Sequence, residues 1–426
     1  MAVKRRSKTK TARKKPQKTI KKAKRKKIIF LVIDGLADRM KRGKTPLETA
    51  NKPNMDWFAA NGACGQLELI SSPKMEVASQ FANVSLLGYD PSRYYLKRGP
   101  LEAAGADLPF VEGNLALRCN FATVSNGART DDMRVMDRRA GRAVYGLDDI
   151  ARYINQHVEI GCKYLFMRTY GHRAVLILQE KLSDEIEGND RETGKKVGRI
   201  TALSPDAERS AQLVQTFVDK TRDVMQYHEK NSERMDRGLL PANYVLTRGA
   251  GNKIFALPHF ARRWKIKNAV CIAENGVMKA TCMTAGFSSI NVPEIIRSDT
   301  TAINHEATLD FIFENIDSAL AEYDFVYAHV KGPDEAAHDK DPEKKRKTIE
   351  AIDARLEPFK KFNGTLVLTC DHITSSETGR HERGPVPVLV YGKRKDTVKK
   401  FDEEAVKKGS LKKMSGRDLM KFIFSK

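Results

Sequence analysis

Five side chains of metal-ligand type cluster near the end of this 426-residue chain: Asp334-x-x-x-His338, the pair Asp371-His372, and His381. A sixth, Asp34, closes the first strongly apolar run, Ile28-Ile29-Phe30-Leu31-Val32-Ile33. Carboxylates and imidazoles in this ratio suit divalent cations, and two such cations close together are a device for transferring phosphoryl groups. Asp334 and His338 are four residues apart, so one helical turn brings both to the same face, able to hold a single ion. Asp371 and His372 directly follow Leu366-Val367-Leu368-Thr369-Cys370 and project from a strand-to-loop turn. Each has an ordinary structural explanation when taken alone. An Asp-Gly after a strand is commonly just a turn, an i,i+4 Asp–His pair can be a surface contact, and a lone histidine such as His381 is commonly a solvated loop residue. The joint occurrence, each after its own apolar run, points to a site. The remaining histidines (His157, His172, His228, His259, His305 and His329) are taken as structural or exposed, with His172 set apart by its neighbour Arg173.

The elements that must position these groups follow from the apolar pattern. Ile28–Ile33 is apolar without alternation, as a strand buried on both faces requires. Thr45 to Ala59 reads as helix interrupted by Pro53, Cys64–Ile70 as a second strand, and Ser79–Leu87 as a turn opening a helix that Gly88-Tyr89-Asp90-Pro91 stops. From about 113 to 244 the character changes. Arginine and aspartate surround short β-like runs such as Ala174–Leu178, the polar stretch Leu182–Val197 reads as a long loop, and a helix is expected over 206–228. Ala269–Ala273, Phe325–His329, Thr365–Thr369 and Val386–Val390 are then strands, with helices expected at about 307–321 and 342–359. Strands alternating with helices imply an α/β fold with a mainly parallel sheet covered on both faces. In such a sheet, functional groups gather beyond the carboxyl ends of the strands, where Asp34, Asp334, Asp371 and His372 all fall.

Composition bounds the rest. With 41% hydrophobic and 31% charged residues, the chain reads as a globular protein. No run near the N-terminus is long enough to span a bilayer, and no apolar secretory segment follows the basic start. Six cysteines without CxxC pairs fit reduced thiols, so a cytoplasmic location is expected. Fifteen of the +22 formal charges sit in residues 1–27, which contain no acid, leaving +7 for the other 399 residues. A block this dense repels itself and is expected to be a disordered tail. It is either a solubilising extension or a weak, salt-sensitive contact for nucleic acid.

Beyond single residues, long stretches from 28 to about 420 resemble the archaeal-type cofactor-independent phosphoglycerate mutases of the alkaline phosphatase superfamily. The likeness is carried by Phe30-Leu31-Val32-Ile33-Asp34-Gly35 with Thr45-Pro46-Leu47-Glu48-Thr49-Ala50, by Ser85-Leu86-Leu87-Gly88-Tyr89-Asp90-Pro91, and by Arg98-Gly99-Pro100-Leu101-Glu102-Ala103-Ala104-Gly105. Arg118-Cys119-Asn120-Phe121, Asp137-Arg138-Arg139-Ala140-Gly141-Arg142, Gly171-His172-Arg173-Ala174, and Asn243 with Arg248-Gly249-Ala250-Gly251 continue it. His329-Val330-Lys331-Gly332-Pro333-Asp334-Glu335, Asp371-His372 and Pro385-Val386-Pro387-Val388 close it. The resemblance implies an alkaline phosphatase-like core domain (28–112 and 245–426) with a smaller inserted α+β domain (113–244) that binds substrate. It implies two divalent ions (Mn²⁺, Mg²⁺, Co²⁺ or Zn²⁺), one held by Asp34, Ser79, Asp371 and His372 and the other by Asp334, His338 and His381. Ser79 matches the family's nucleophile, and no 2,3-bisphosphoglycerate is needed. Phosphoglycerate, a phosphate and a carboxylate on one small skeleton, would meet Arg138, Arg139, Arg142 and Arg173 as bidentate partners. Asp137 would meet the glycerate hydroxyls and Lys279 the phosphate. Two departures stand out: Ala78-Ser79-Gln80 replaces the family's Gly-Ser-Asp, and Ile373-Thr374-Ser375 replaces Ser-Thr-Pro. A phosphatase, a phosphonate hydrolase, a mutase of another phosphorylated substrate, or a weakly active relic that binds nucleic acid are the alternatives.

Overall fold

Six apolar residues in a row cannot alternate between core and water, and Ile28–Ile33 is accordingly buried along its whole length. It lies inside an eight-stranded sheet and is paired in parallel with Phe325–Val330 on one side and Thr365–Thr369 on the other. The computed structural model describes residues 27–127, 132–297 and 301–425. The strand order is Ser288–Val292, Ala269–Glu274, Phe325–Val330, Ile28–Ile33, Thr365–Thr369, Val386–Tyr391, Gly62–Leu67 and Lys412–Met414. Val386–Tyr391 runs antiparallel to both neighbours, and every other pairing is parallel. Helices Pro53–Ala60, Val277–Thr284, His305–Glu322 and Pro342–Ala354 cover the sheet, and their buried faces join one core with Phe30, Phe58, Ile312, Tyr327 and Ile352.

A second, antiparallel sheet has the order Val135–Asp137, Asn114–Val124, Arg173–Lys181, Tyr164–Tyr170, with Tyr244–Gly251 also paired to Asn114–Val124. Helices Leu147–His157 and Glu208–Met225 back it through Ile150, Ile154, Phe166 and Phe217, a core of its own. The division expected at 244 falls at the start of a strand. Tyr244–Gly251 completes the second sheet by pairing with residues 122 to 135 positions earlier, a long-range partnership that local composition does not signal. Within the expected loop Leu182–Val197, Ile186–Glu187 forms a short strand with Thr201–Ala202.

Among the described residues, no helix is long and apolar enough to cross a membrane. The six cysteines are all free, and all but Cys162 are buried. The basic segment expected to be a disordered, nucleic-acid-contacting tail lies outside the described residues except for Lys27.

Candidate metal centre

Three adjacent parallel strands end together, and the chain beyond each end carries an acid. Ile33 and Val330 are register partners, as are Val32 and Thr369, so Asp34, Asp334 and Asp371 emerge along one edge of the sheet. Backbone bonds lock two of the three turns together: the Asp34 amide donates to Val330 O at 2.8 Å, and the Asp334 amide donates to Asp34 O at 3.1 Å. Gly35 has φ +60°, and a Cβ there would come within 2.8 Å of Asp334 Cα and Cβ and 2.7 Å of the Thr374 hydroxyl. The Asp-Gly therefore does more than turn the chain; it lets two acid-bearing segments touch. Asp334 and His338 occupy opposite ends of the short helix Pro333–His338, with His338 Nε2 3.4 Å from Asp334 Oδ2. A two-strand hairpin, Ile373–Thr374 with His381–Glu382, brings His381 back over the site, with Nε2 3.3 Å from Asp334 Oδ1.

The outcome is one continuous cluster. Asp334, His338 and His381 form one group of mutually close ligand atoms; Asp34, Asp334 and His372 form a second, and Asp34, His329 and Asp371 a third. His372 Nε2 lies 3.2 Å from Asp371 Oδ2 and 3.5 Å from Asp34 Oδ1. Ser79 is the first residue of helix Ser79–Leu86, and its hydroxyl lies 3.1 Å from His372 Nε2. All six metal-type residues read from spacing, together with Ser79, are thus drawn into one place.

Proton placement tests whether cations suit these groups. His338 Nδ1 faces Gly379 O at 2.7 Å, and His381 Nδ1 faces Val77 O at 3.1 Å, so each must carry hydrogen on that nitrogen. His372 Nδ1 lies 3.0 Å from the Thr374 hydroxyl, whose own proton goes to Asp334 Oδ1 at 2.8 Å. By this assignment each of the three rings, in its neutral form, turns an Nε2 lone pair toward carboxylate oxygens. Asp34 Oδ1, His329 Nε2 and His381 Nε2 are buried without a hydrogen-bond partner among the described residues. Acceptors gathered around acceptors with no proton between them are what a divalent cation satisfies, and outward-anchored Nδ1–H groups are the usual support of metal-bound imidazoles.

The electrostatics agree. Burial, then the charges of Asp371 and Asp334, drives the Asp34 carboxyl well above its ordinary range. Burial lowers His372 and His338 and takes His329 down to about 4, keeping these rings in the neutral, ligating form. Burial opposes ionisation of Asp334, yet the adjacent His381 imidazole, then those of His338 and His372, hold it well below the carboxylate norm, and Asp334 in turn raises His381 above the ordinary imidazole value.

A cavity of about 870 Å³ opens from this cluster toward the second sheet. Asp34, Ser79, Asp334 and His381 line one side, and Arg138, Arg139, Arg142 and Arg173 the other. Arg138 forks onto Asp190 at 2.8 and 2.6 Å, and Arg142 reaches Asp339 at 2.5 Å. Arg173, by contrast, has no side-chain hydrogen bond or ion pair to any described residue.

Two expectations need correction. Lys279 does not line the cavity; its ammonium is buried against Asp107 at 2.5 Å, with Asn275 at 3.4 Å. The lysines in the cavity wall are Lys331, paired with Glu274, and Lys344, paired with Asp339 at 3.3 Å. Asp137 is also absent from the lining, because its carboxylate accepts the amides of Arg139 at 2.6 Å and Gly141 at 3.2 Å, capping its own turn. His329, set aside as structural, stands instead in the acidic cluster. Its signal was a basic side chain within the wholly buried strand Phe325–Val330. Arg98, Arg118 and Arg248, conspicuous in the sequence but given no role, also face the cavity. Gln80 is buried with its Oε1 unpartnered, where the family's acid would stand.

Comparison with known proteins matches this chain to a family. A profile described as the metalloenzyme superfamily matches residues 26–426. The chain is 38% identical over 411 residues to 2,3-bisphosphoglycerate-independent phosphoglycerate mutase 1 of Methanothermobacter thermautotrophicus, covering 93% of this chain and 96% of that protein. The enzyme of the same name from Archaeoglobus fulgidus is 36% identical over 404 residues, covering 92% and 96%. This chain belongs to the 2,3-bisphosphoglycerate-independent phosphoglycerate mutase family. Among solved structures, cofactor-independent phosphoglycerate mutase from Thermoplasma acidophilum superposes with a TM-score of 0.55 at 29% identity, covering 93% of this chain and 98% of that one. A Pyrococcus horikoshii protein gives 0.72 at 28% identity, covering 94% and 98%. Membership in the mutase family makes the chain an isomerase dependent on divalent metal, and the basic segment before residue 26 lies outside the matched region.

Proposed function

We propose that this protein interconverts 2-phosphoglycerate and 3-phosphoglycerate through a phosphoserine at Ser79, without 2,3-bisphosphoglycerate. The observation that carries this is convergence: a serine hydroxyl, a carboxylate–imidazole cluster and a wall of guanidiniums face one cavity. Asp34, Ser79, Asp371 and His372 would hold one divalent ion and Asp334, His338 and His381 the other, with His329 beside the first. Ions so held, Mn²⁺, Mg²⁺, Co²⁺ or Zn²⁺ by ligand chemistry, would lower the pKa of the Ser79 hydroxyl and neutralise the phosphoryl oxygens.

Ser79 Oγ attacks the substrate phosphorus, and the ester oxygen of the glycerate leaves. Arg139, Arg142 and Arg173 hold the glycerate carboxylate and the departing skeleton, while Arg138 is fixed by Asp190 at the cavity edge. The glycerate then turns to present its other hydroxyl, which attacks the phosphoserine and frees Ser79. Residues 113–251, taken as the substrate-binding domain, shield the phosphoserine from water, which would otherwise make the enzyme a phosphatase. An enolase-coupled assay with added Mn²⁺ and no bisphosphoglycerate tests this. Turnover of both isomers, with phosphate trapped on Ser79, is expected; failure to convert either isomer rejects it. The fifteen basic residues of the first 27 would be either a solubilising extension or a weak, salt-sensitive contact with nucleic acid. Deleting them discriminates: loss of RNA binding in a filter assay with unchanged turnover supports the contact.

A further inference from the structure

Arg234, on helix Glu229–Asp236, is fully buried, yet among the described residues no carboxylate pairs with it. Its guanidinium spends its donors on backbone carbonyls: Nη2 on Ala140 O at 2.8 Å, Nη1 on Ala143 O at 3.1 Å and Tyr145 O at 2.6 Å, and Nε on Leu240 O at 2.9 Å. Three of those four carbonyls belong to the segment that carries Arg138, Arg139 and Arg142. That segment is conformationally costly. Ala140, Gly141 and Arg142 have φ of 44°, 67° and 61°, three consecutive residues in the left-handed region, two of them with a Cβ. Such a turn persists only where its surroundings over-determine it. Asp137 caps it from within, through the Arg139 and Gly141 amides. Arg234 grips it from behind.

The helix bearing Arg234 is itself anchored. Asn231 bonds Met225 O, Ala242 O and the Ala242 amide, and Glu233 accepts from the Tyr145 hydroxyl. An unpaired buried cation is an expensive way to fill space. Only a guanidinium offers a planar fork able to reach four carbonyls at once; an ammonium has three donors on one atom. Burial pulls the group down only to about 10, so it remains charged at neutral pH.

We propose that Arg234 is a positioning residue for substrate binding: by clamping the left-handed turn Ala140–Arg142, it aims Arg139 and Arg142 into the cavity without touching substrate itself. This rests on the assignment of those arginines to phosphoglycerate. The test is steady-state kinetics of the full-length Arg234→Lys and Arg234→Gln variants with added Mn²⁺, beside hydrogen–deuterium exchange. KM for 3-phosphoglycerate should rise about tenfold or more while kcat changes by less than about threefold, as expected when buried hydrogen bonds that orient a binding group are lost. Amides of residues 139–145 should exchange faster while the strand Asn114–Val124 keeps its protection. Arg234→Lys, which keeps the charge, should lie between wild type and Arg234→Gln. Unchanged KM in folded variants, protection lost across the whole second sheet, or failure of both variants to fold would each overturn the proposal in favour of a purely structural arginine. A wild-type protein inactive on phosphoglycerate would reject the substrate assignment instead, and the exchange data would still decide whether Arg234 holds the turn.

Discussion

The Thr374 hydroxyl donates to Asp334 Oδ1 at 2.8 Å while His372 Nδ1 lies 3.0 Å from that hydroxyl's own oxygen. One side chain therefore orients a proposed ligand of each ion: His372 through its tautomer and Asp334 through its accepted proton. Removing the hydroxyl should loosen both. Thr374→Val is expected to weaken Mn²⁺ binding by about 10–100-fold, the usual cost of losing a partner of a metal ligand. Thr374→Ser should bind nearly as wild type. Competition titration against a chromogenic chelator reads this directly, and a valine variant with wild-type affinity would dismiss the threonine's role.

Ser79 sits where the first turn of its helix meets the cluster, 3.1 Å from His372 Nε2. Ser79→Ala should cut turnover by about 10³ or more, because no other hydroxyl is expected to substitute for a lost nucleophile. Metal content should change little, since Asp34, Asp371 and His372 remain. Mass spectrometry after quenching with substrate should find phosphate on the wild-type serine peptide alone. Phosphorylation elsewhere, or full activity in the alanine variant, would contradict the assignment.

Behind the site, Lys345 and Asp38 form an ion pair at 2.9 Å with both side chains fully buried. The ammonium also donates to Ala37 O at 3.1 Å and Thr374 O at 2.8 Å, while the Ser376 amide and hydroxyl serve Asp38. The pair fastens the Asp34-Gly35 turn to the segment after His372. Lys345→Met strands the Asp38 charge and is expected to destabilise the protein by about 3–5 kcal/mol. Urea unfolding monitored by tryptophan fluorescence measures this; a loss under about 1 kcal/mol would mean that Asp38 finds water or another donor.

Legibility from the sequence tracks how local the cause is. Ile28–Ile33 and Thr365–Thr369 were readable to the residue because a strand buried on both faces admits only apolar side chains. Asp34 and Asp371-His372 were readable because parallel strands deliver their carboxyl ends to one edge. Lys279 falls outside the cavity wall because its partner, Asp107, lies 172 positions away and holds the ammonium. Asp137 was misread for the opposite reason: its partners are two and four residues on, and a turn-capping aspartate looks the same in sequence as a substrate-binding one. His329 went unread because a histidine in a core strand is ordinarily a satisfied one. Only the folded arrangement, with Asp34 Oδ2 3.9 Å from its Nε2, marks it out.

Glu403 gives a pH signature separate from catalysis. Burial pushes its carboxyl from an ordinary 4.5 up to about 7, against the opposing pull of hydrogen bonds from the Asp38 amide and the Thr45 hydroxyl, each 2.9 Å long. Between these two values the folded protein keeps a proton that the unfolded chain has released. Folding is therefore favoured by this group below about pH 4.5, and the advantage drains away as pH rises toward 7, by roughly 3 kcal/mol in total. The sign is opposite to that of a salt-bridged acid. Glu403→Gln keeps an acceptor for the Asp38 amide and cannot ionise, so its unfolding free energy should fall less between pH 5 and pH 8 than that of the wild type. Urea denaturation of both proteins across this range measures the difference, and parallel curves would show that Glu403 titrates normally in the fold.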